Sequence, residues 1–207
     1  MAGLHGQAEK LMPMIDTVVR QAGLPPAALD LVVTTVGPGS FTGIRAGIAA
    51  ARGIALATNA RLVGVTSFDA VAAGSAAPGR EHSGFLLVTL ESRREDFFVQ
   101  IFDRVRDRVG EPTAVAPSAL LDMVNAVVGE APLRIAGDAA QRALSVLTRR
   151  PHIDILENPT PLALGALRAA IHCLQSGGSG EAARPLYLRA PDTTPSGGRM
   201  EARGSRL

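Results

Sequence analysis

Aromatic side chains are scarce. Among 207 residues there is no tryptophan, one tyrosine and six phenylalanines, 3% in all, which argues against an RNA surface that works by stacking bases on rings. Cysteine occurs once, at Cys173, so no disulfide can form within the chain and a reducing compartment is indicated. The helical neighbours Ile171, His172 and Leu174 predict a buried structural thiol. The four histidines, at 5, 82, 152 and 172, show no ligand pairing, and one cysteine supplies no zinc framework. No apolar run approaches about 18–20 residues and no leader pattern opens the chain. Together these absences predict a soluble, cytoplasmic protein with no membrane contact. The formal charge of +2 comes largely from arginines near the C-terminal end and makes no dense basic patch, so direct tight binding of nucleic acid is not indicated.

What is abundant is aliphatic. Hydrophobic residues make up 46% of the chain, enough for a core of Leu, Val, Ile and Ala in one large domain or two lobes. The most informative stretch is Gly37-Pro-Gly-Ser-Phe-Thr-Gly-Ile-Arg45, which follows the apolar strand Leu31–Val36 and opens an Ala/Gly-rich helix running to about Thr58. Gly37 and Gly39 admit a sharp reversal around Pro38, and Ser40 or Thr42 can cap the helix. Strand, glycine turn and helix start suit phosphate binding, with Gly37, Gly39, Ser40, Thr42 and Gly43 facing the anion. The loop has no Lys-Ser/Thr end, and its glycines are spaced one residue too long for the dinucleotide fingerprint. A phosphate turn and a plain tight turn both remain open.

The helix after the turn has two stripes. Ile44, Ile48, Ala51 and Ala55 share one, and Ala46, Ala50, Gly53 and Ala57 share another nearly opposite. The first suits a sheet. The second is lean enough for another helix backbone to approach, with Arg45 and Arg52 flanking the contact. Burial on both sides within one domain is the competing reading.

Along the chain, residues 7–22 form an amphipathic helix stopped by Gly23 and Pro25-Pro26. Strand 30–36, the helix after the turn and strand 61–65 make a right-handed βαβ unit. A helix starts at Ser67 and fades in the Gly/Ala/Pro-rich stretch 74–80, which marks a lobe boundary. Strands 84–90 and 97–102 follow, joined by the charged turn Glu91–Asp96, whose carboxylates and arginines are expected to be solvated and self-paired. A third strand near 113–115, a helix over 118–128, strands at 133–136 and 153–156 and a helix over 161–175 complete the pattern. Lobes are expected at 1–80 and 81–191, with a disordered tail over 192–207. Ser40 lies outside a G-x-S-x-G elbow and has no local base, so no active site emerges from the residues.

Leu11-Met-Pro-Met-Ile-Asp16, the Gly37–Arg45 turn with its helix, and Pro185-Leu-Tyr-Leu-Arg-Ala-Pro-Asp192 together resemble the bacterial TsaB (YeaZ) family. The resemblance implies an α/β, actin-like (ASKHA) fold of two lobes. It implies an accessory role in making threonylcarbamoyladenosine at position 37 of tRNA. The partners implied are a catalytic TsaD-type paralogue and, through the complex, a TsaE-type ATPase and the tRNA. Self-association is implied where the paralogue is missing, and ATP or ADP would sit at the complex interface, not on this chain alone. The paralogue holds its metal through an N-H-x-x-x-H motif, whereas the matching stretch here, Val65-Thr-Ser-Phe-Asp-Ala70, has no histidine, so no catalysis of the transfer is expected. Leu11, Met14 and Val18 on the first helix, with Arg45, Ala46, Ala50, Arg52, Gly53 and Ala57 on the second, are the expected partner interface. Family members open with a β-meander carrying an Asp-Thr-Ser-like phosphate loop, while this chain starts at the helix that follows it. Three core strands are expected to be missing, leaving Leu31–Val36 with an open edge, through a start codon that lies upstream (the favoured reading) or because this is a degraded copy. The alternative function is a stand-alone metallo- or serine-type glycopeptidase-like hydrolase. A nucleotide-dependent regulatory module is a third reading.

Overall fold

The structure is a computed structural model that describes residues 7–75, 84–92, 94–156 and 162–188. The expected tail over 192–207, the heart of the expected lobe boundary (residues 76–80) and Arg93 of the charged turn lie outside the described residues.

Helix α1 (Gln7–Gln21) leads through a 3-10 turn into β1 (Leu31–Gly37), α2 (Phe41–Thr58) and β2 (Arg61–Thr66). β1 and β2 pair in parallel, Val33 opposite Val63 and Thr34 opposite Gly64, as the βαβ pattern requires. Ser40 is the residue that caps α2, its Oγ accepting from Gly43 N–H at 3.3 Å. Alternation then sorts the faces of this small sheet. Leu31, Val33, Val63 and Val65 belong to one side, where Ala166 and Ala170 pack on them. α2 lies against β1 with Ile48, Ala51 and Ala55 buried, and Gly47 sits beside Thr34 on the other side. Among the described residues no strand pairs with the free edge of β1.

Helix α3 (Ser67–Gly74) starts from a capping box in which Thr66 and Asp69 satisfy each other's backbone N–H groups. The second sheet has the order β5-β4-β3-β6-β7, built from β3 (Phe85–Glu91), β4 (Phe97–Phe102), β5 (Arg108–Val115), β6 (Leu133–Ala136) and β7 (Ile153–Ile155). β3, β4 and β5 form the expected meander, with β5 starting at Arg108 well before the Thr113 read from the sequence. β6 and β7 add in parallel on the far side of β3. Helix α4 (Pro117–Val128) and α5 (Ala140–Val146), the latter not read from the sequence, cover one face around Leu87, Leu120, Val124 and Ile135. α3 covers the other through Phe68, Val71 and Ala72, against Leu86, Val88 and Phe102. Arg150, 6% exposed, donates to Asn125 Oδ1, Gly129 O and Ala131 O at 2.6 Å each and so closes the C-terminal end of α4.

The two sheets therefore sandwich a helical middle layer, α3 with α6 (Leu162–Gln175), and carry α1/α2 and α4/α5 on their outer faces. The middle layer is tight because α6 presents Gly165 to the backbone of α3. A Cβ added there would lie 2.2 Å from Ala70 O. Gly165→Ala must push the helices apart, and overpacking of this kind costs about 1–3 kcal/mol. Urea unfolding should show that loss as a lower midpoint at unchanged slope; an unchanged midpoint would contradict the close crossing.

Candidate functional site

The Gly37–Arg45 turn and the Pro185-Leu-Tyr-Leu188 motif are far apart in sequence and meet in space. Leu186 N–H donates to Val36 O at 2.8 Å. Gly37, at φ 112°, faces Leu186 O so closely that a Cβ would come within 3.2 Å of it and 2.9 Å of Ile44 Cδ1. Here glycine is required on both counts, conformation and space. The strap formed by residues 181–188 begins on the outer edge of β2, where Gly64 and Glu181 exchange both backbone hydrogen bonds.

Two side chains from α2 hold the strap. Arg52 Nη2 donates to Ala183 O at 2.7 Å, and Arg45 Nε donates to the Tyr187 hydroxyl at 2.9 Å. The Arg45 guanidinium also lies 3.7 Å over the Phe41 ring, and the Phe41 and Tyr187 rings are 5.9 Å apart. Phe41 and Tyr187 remain about half exposed, at 46% and 45%. Thus the two arginines expected beside a partner are already engaged within the chain, though by neutral oxygens only. The sequence reading missed Phe41 and Tyr187, since an exposed aromatic is not distinguishable from a core one by its neighbours. Their membership of the two motifs was the available signal.

The lean flank of α2 is partly covered. α1 packs on α2; Ala46 and Ala50 are half-buried, whereas Gly53 and Ala57 are exposed and a Cβ at Gly53 would meet nothing within 4 Å. On α1, Leu11 is half-buried while Met14 and Val18, at helical spacing from it, are each 63% exposed. Leu56 on α2, at 87%, and Met12 on α1, at 51%, extend the exposed apolar surface and were not singled out in the sequence.

On its inner side the turn opens into a cleft of about 290 Å³ between the two halves, lined by Gly39, Ser40 and Gly43 and, across from them, Leu90, Glu91 and Asp138. Thr42 is exposed and lies outside it. Glu91 N–H donates to Asp138 Oδ1 at 2.9 Å, and the Glu91 carboxylate accepts from Arg142 of α5 at 2.7 and 3.1 Å. Glu91 of the charged turn is thus paired with Arg142 from outside the turn. Among the described residues no Lys or Arg lines the cleft itself, and the cation beside it is Arg142 on Glu91. A polyphosphate against the turn would face Asp138 and a Glu91 carboxylate already paired with Arg142. Among the described residues no group of three or more His, Cys, Asp or Glu could hold a metal ion, and no helix is long and apolar enough to cross a membrane. Cys173 is half-exposed, not buried as its helical neighbours suggested.

This is the two-lobed, actin-like (ASKHA) α/β architecture. YeaZ from Pseudomonas aeruginosa has the same fold, with a TM-score of 0.69 at 22% identity over 89% of this chain and 84% of that one. Residues 5–154 match the family described as TsaD, tRNA N6-adenosine threonylcarbamoyltransferase. The chain belongs to that family, and within it to the TsaB (YeaZ) group. An uncharacterised protein of Mycobacterium tuberculosis is 32% identical over 92% of this chain and 79% of its own length. The tRNA threonylcarbamoyladenosine biosynthesis protein TsaB of Haemophilus influenzae is 30% identical over 50% of this chain and 44% of its own length.

The strap's fit on the turn has a direct readout. Gly37→Val places a β-branched side chain at a positive φ and against Leu186, and should free residues 183–188. The Leu186 amide should then exchange with solvent at least about tenfold faster by NMR, while amides of β3 and β4 keep their protection. Unchanged exchange at Leu186 would contradict the packing.

Proposed function

We propose that this chain acts in tRNA threonylcarbamoyladenosine biosynthesis as a non-catalytic, complex-forming subunit that binds and activates a TsaD-type catalytic paralogue in the cytoplasm. The observation that carries the reading is the exposed surface of α1 and α2: Met14 and Val18 beside an α2 flank where Gly53 and Ala57 leave room for a helix backbone. Burying Met14 and Val18 would contribute about 1.5–3 kcal/mol each, and close approach at Gly53 would add packing. The Phe41–Arg45–Tyr187 cluster next to it has the composition of an interface anchor, held in place by the strap before any partner arrives.

Arg45 and Arg52 donate to a phenol and a carbonyl, so neither charge is neutralised there. A partner face carrying carboxylates would complement them. The stretch Val65–Ala70, without histidine, supports the accessory role. TsaE-type ATPase and tRNA would engage the complex and not this chain by itself, and self-association through the same flank would occur in the paralogue's absence. ATP or ADP would sit at the subunit junction, where the partner would add countercharge beside a cleft that holds Asp138 and the Arg142-paired Glu91.

Gly53→Leu tests the surface with little risk to the fold, since a side chain there enters open space. It should weaken co-elution with the TsaD-type paralogue at least about tenfold, leaving the unfolding midpoint within about 0.5 kcal/mol of the parent. Wild-type affinity for the paralogue would remove this flank from the interface.

A further inference from the structure

A second cavity, of about 870 Å³, shares none of its walls with the turn, α1 or α2. It opens between the outer edge of β2, α3, the β4–β5 turn, α6 and residues 178–181. Its floor is apolar: Val65, Ala72 and Phe102 are buried there, and Val105, 69% exposed, stands on the β4–β5 turn. Its charges are not equally available. Arg108 is held by Asp69 and Glu181, so these three groups satisfy one another. Asp103 accepts from the N–H groups of Val105 and Asp107 at 2.9 Å and is committed to shaping the turn.

Arg106 is different. Its Nε and Nη2 are buried with no hydrogen-bond partner, and its backbone is held at φ 71°, in the left-handed region. Burial, and after it the nearby Arg134, weaken its hold on the proton, and Asp103 opposes them. Arg168 of α6 lines the same cavity without an ion pair among the described residues. Nε and Nη2 are out of reach of a ligand as they are of water, so the cavity is offered the rest of the Arg106 side chain together with Arg168, two cations above an apolar floor with no ion pair among the described residues.

We propose that this cavity binds a small organic anion with one carboxylate on an apolar body, the carboxylate accepting from Arg106 near Arg168 and the body lying over Ala72, Phe102 and Val105. One negative charge fits better than a phosphate dianion because Asp69, Asp107 and Glu181 also line the space. The volume falls in the range of ordinary small-molecule pockets.

Cys173 supplies the test, because it lines this cavity and is the only cysteine in the sequence. Decanoate serves as the probe, and iodoacetamide, being uncharged, reports access to the thiol. Saturating decanoate should slow alkylation of Cys173 at least about fivefold, and decanol should need about tenfold more for equal protection. Arg106→Gln should raise the protecting decanoate concentration about tenfold while leaving the ligand-free alkylation rate unchanged, with Arg168→Gln as the second variant should the first fail to fold. Three results would each overturn the site: no protection up to the solubility limit, equal protection by decanol, or unaltered protection in the folded variants.

Discussion

One carboxylate ties the molecule together. Asp69 closes the capping box of α3 by accepting from Thr66, and from the opposite side it takes the guanidinium of Arg108 at the start of β5. Arg108 in turn reaches Glu181 at the head of the strap, at 3.0 Å. Thus the small sheet, the middle helices, the large sheet and the strap share a single node. The hydrogen bond with Asp69 outweighs the desolvation of Arg108 and holds its guanidinium more firmly protonated than usual. With the Arg108 side chain 38% exposed, the pair's value lies less in net stability than in fixing where β5 stands relative to α3.

That placement matters because the small sheet has little of its own to rest on. β1 has one neighbour, β2, and its opposite edge is unpaired among the described residues. The sheet is held by α2 on one face, by α6 and Ala70 of α3 on the other, and by the strap, which caps both strands through Gly64 and Val36. The arginines of α2 then fasten the strap beside the surface bearing Phe41, Arg45 and Tyr187. A preorganised anchor loses less side-chain freedom on binding than a mobile one. The fold's need to seal its smaller half thus also readies the proposed docking face.

Much of this was legible in the sequence, and for a consistent reason. The βαβ unit, the sheet-facing stripe of α2, the meander and the final helix follow from local periodicity, and of that stripe Ile48, Ala51 and Ala55 are buried and Ile44 half-buried. What local patterns do not encode is the choice between partners distant in sequence. The parallel addition of β6 beside β3, the short helix α5 of seven residues and the capture of Glu91 by Arg142 depend on tertiary placement. Cys173 shows the same limit from another side, since an apolar helical neighbourhood does not reveal that a cavity opens beside one face of α6. Arg45 and Arg52 lie between the stripes of α2 as their spacing predicts, but their contacts run to a strap more than a hundred residues away.

The turn itself divides two electrostatic environments. Inward, across the cleft, it faces Glu91 and Asp138; outward, along α2, it leads to Arg45 and Arg52, whose hydrogen-bond partners are neutral. In the cleft the Glu91 carboxylate is already paired with Arg142, whereas an acidic protein surface approaching from the helices meets two positive groups. The helix N-terminus at Ser40 favours anions on either side, yet its effect fades within one turn and is smaller than that of a full carboxylate nearby. Arg45 and Arg52 thus give the proposed docking face on α2 a positive character that an acidic partner surface would complement.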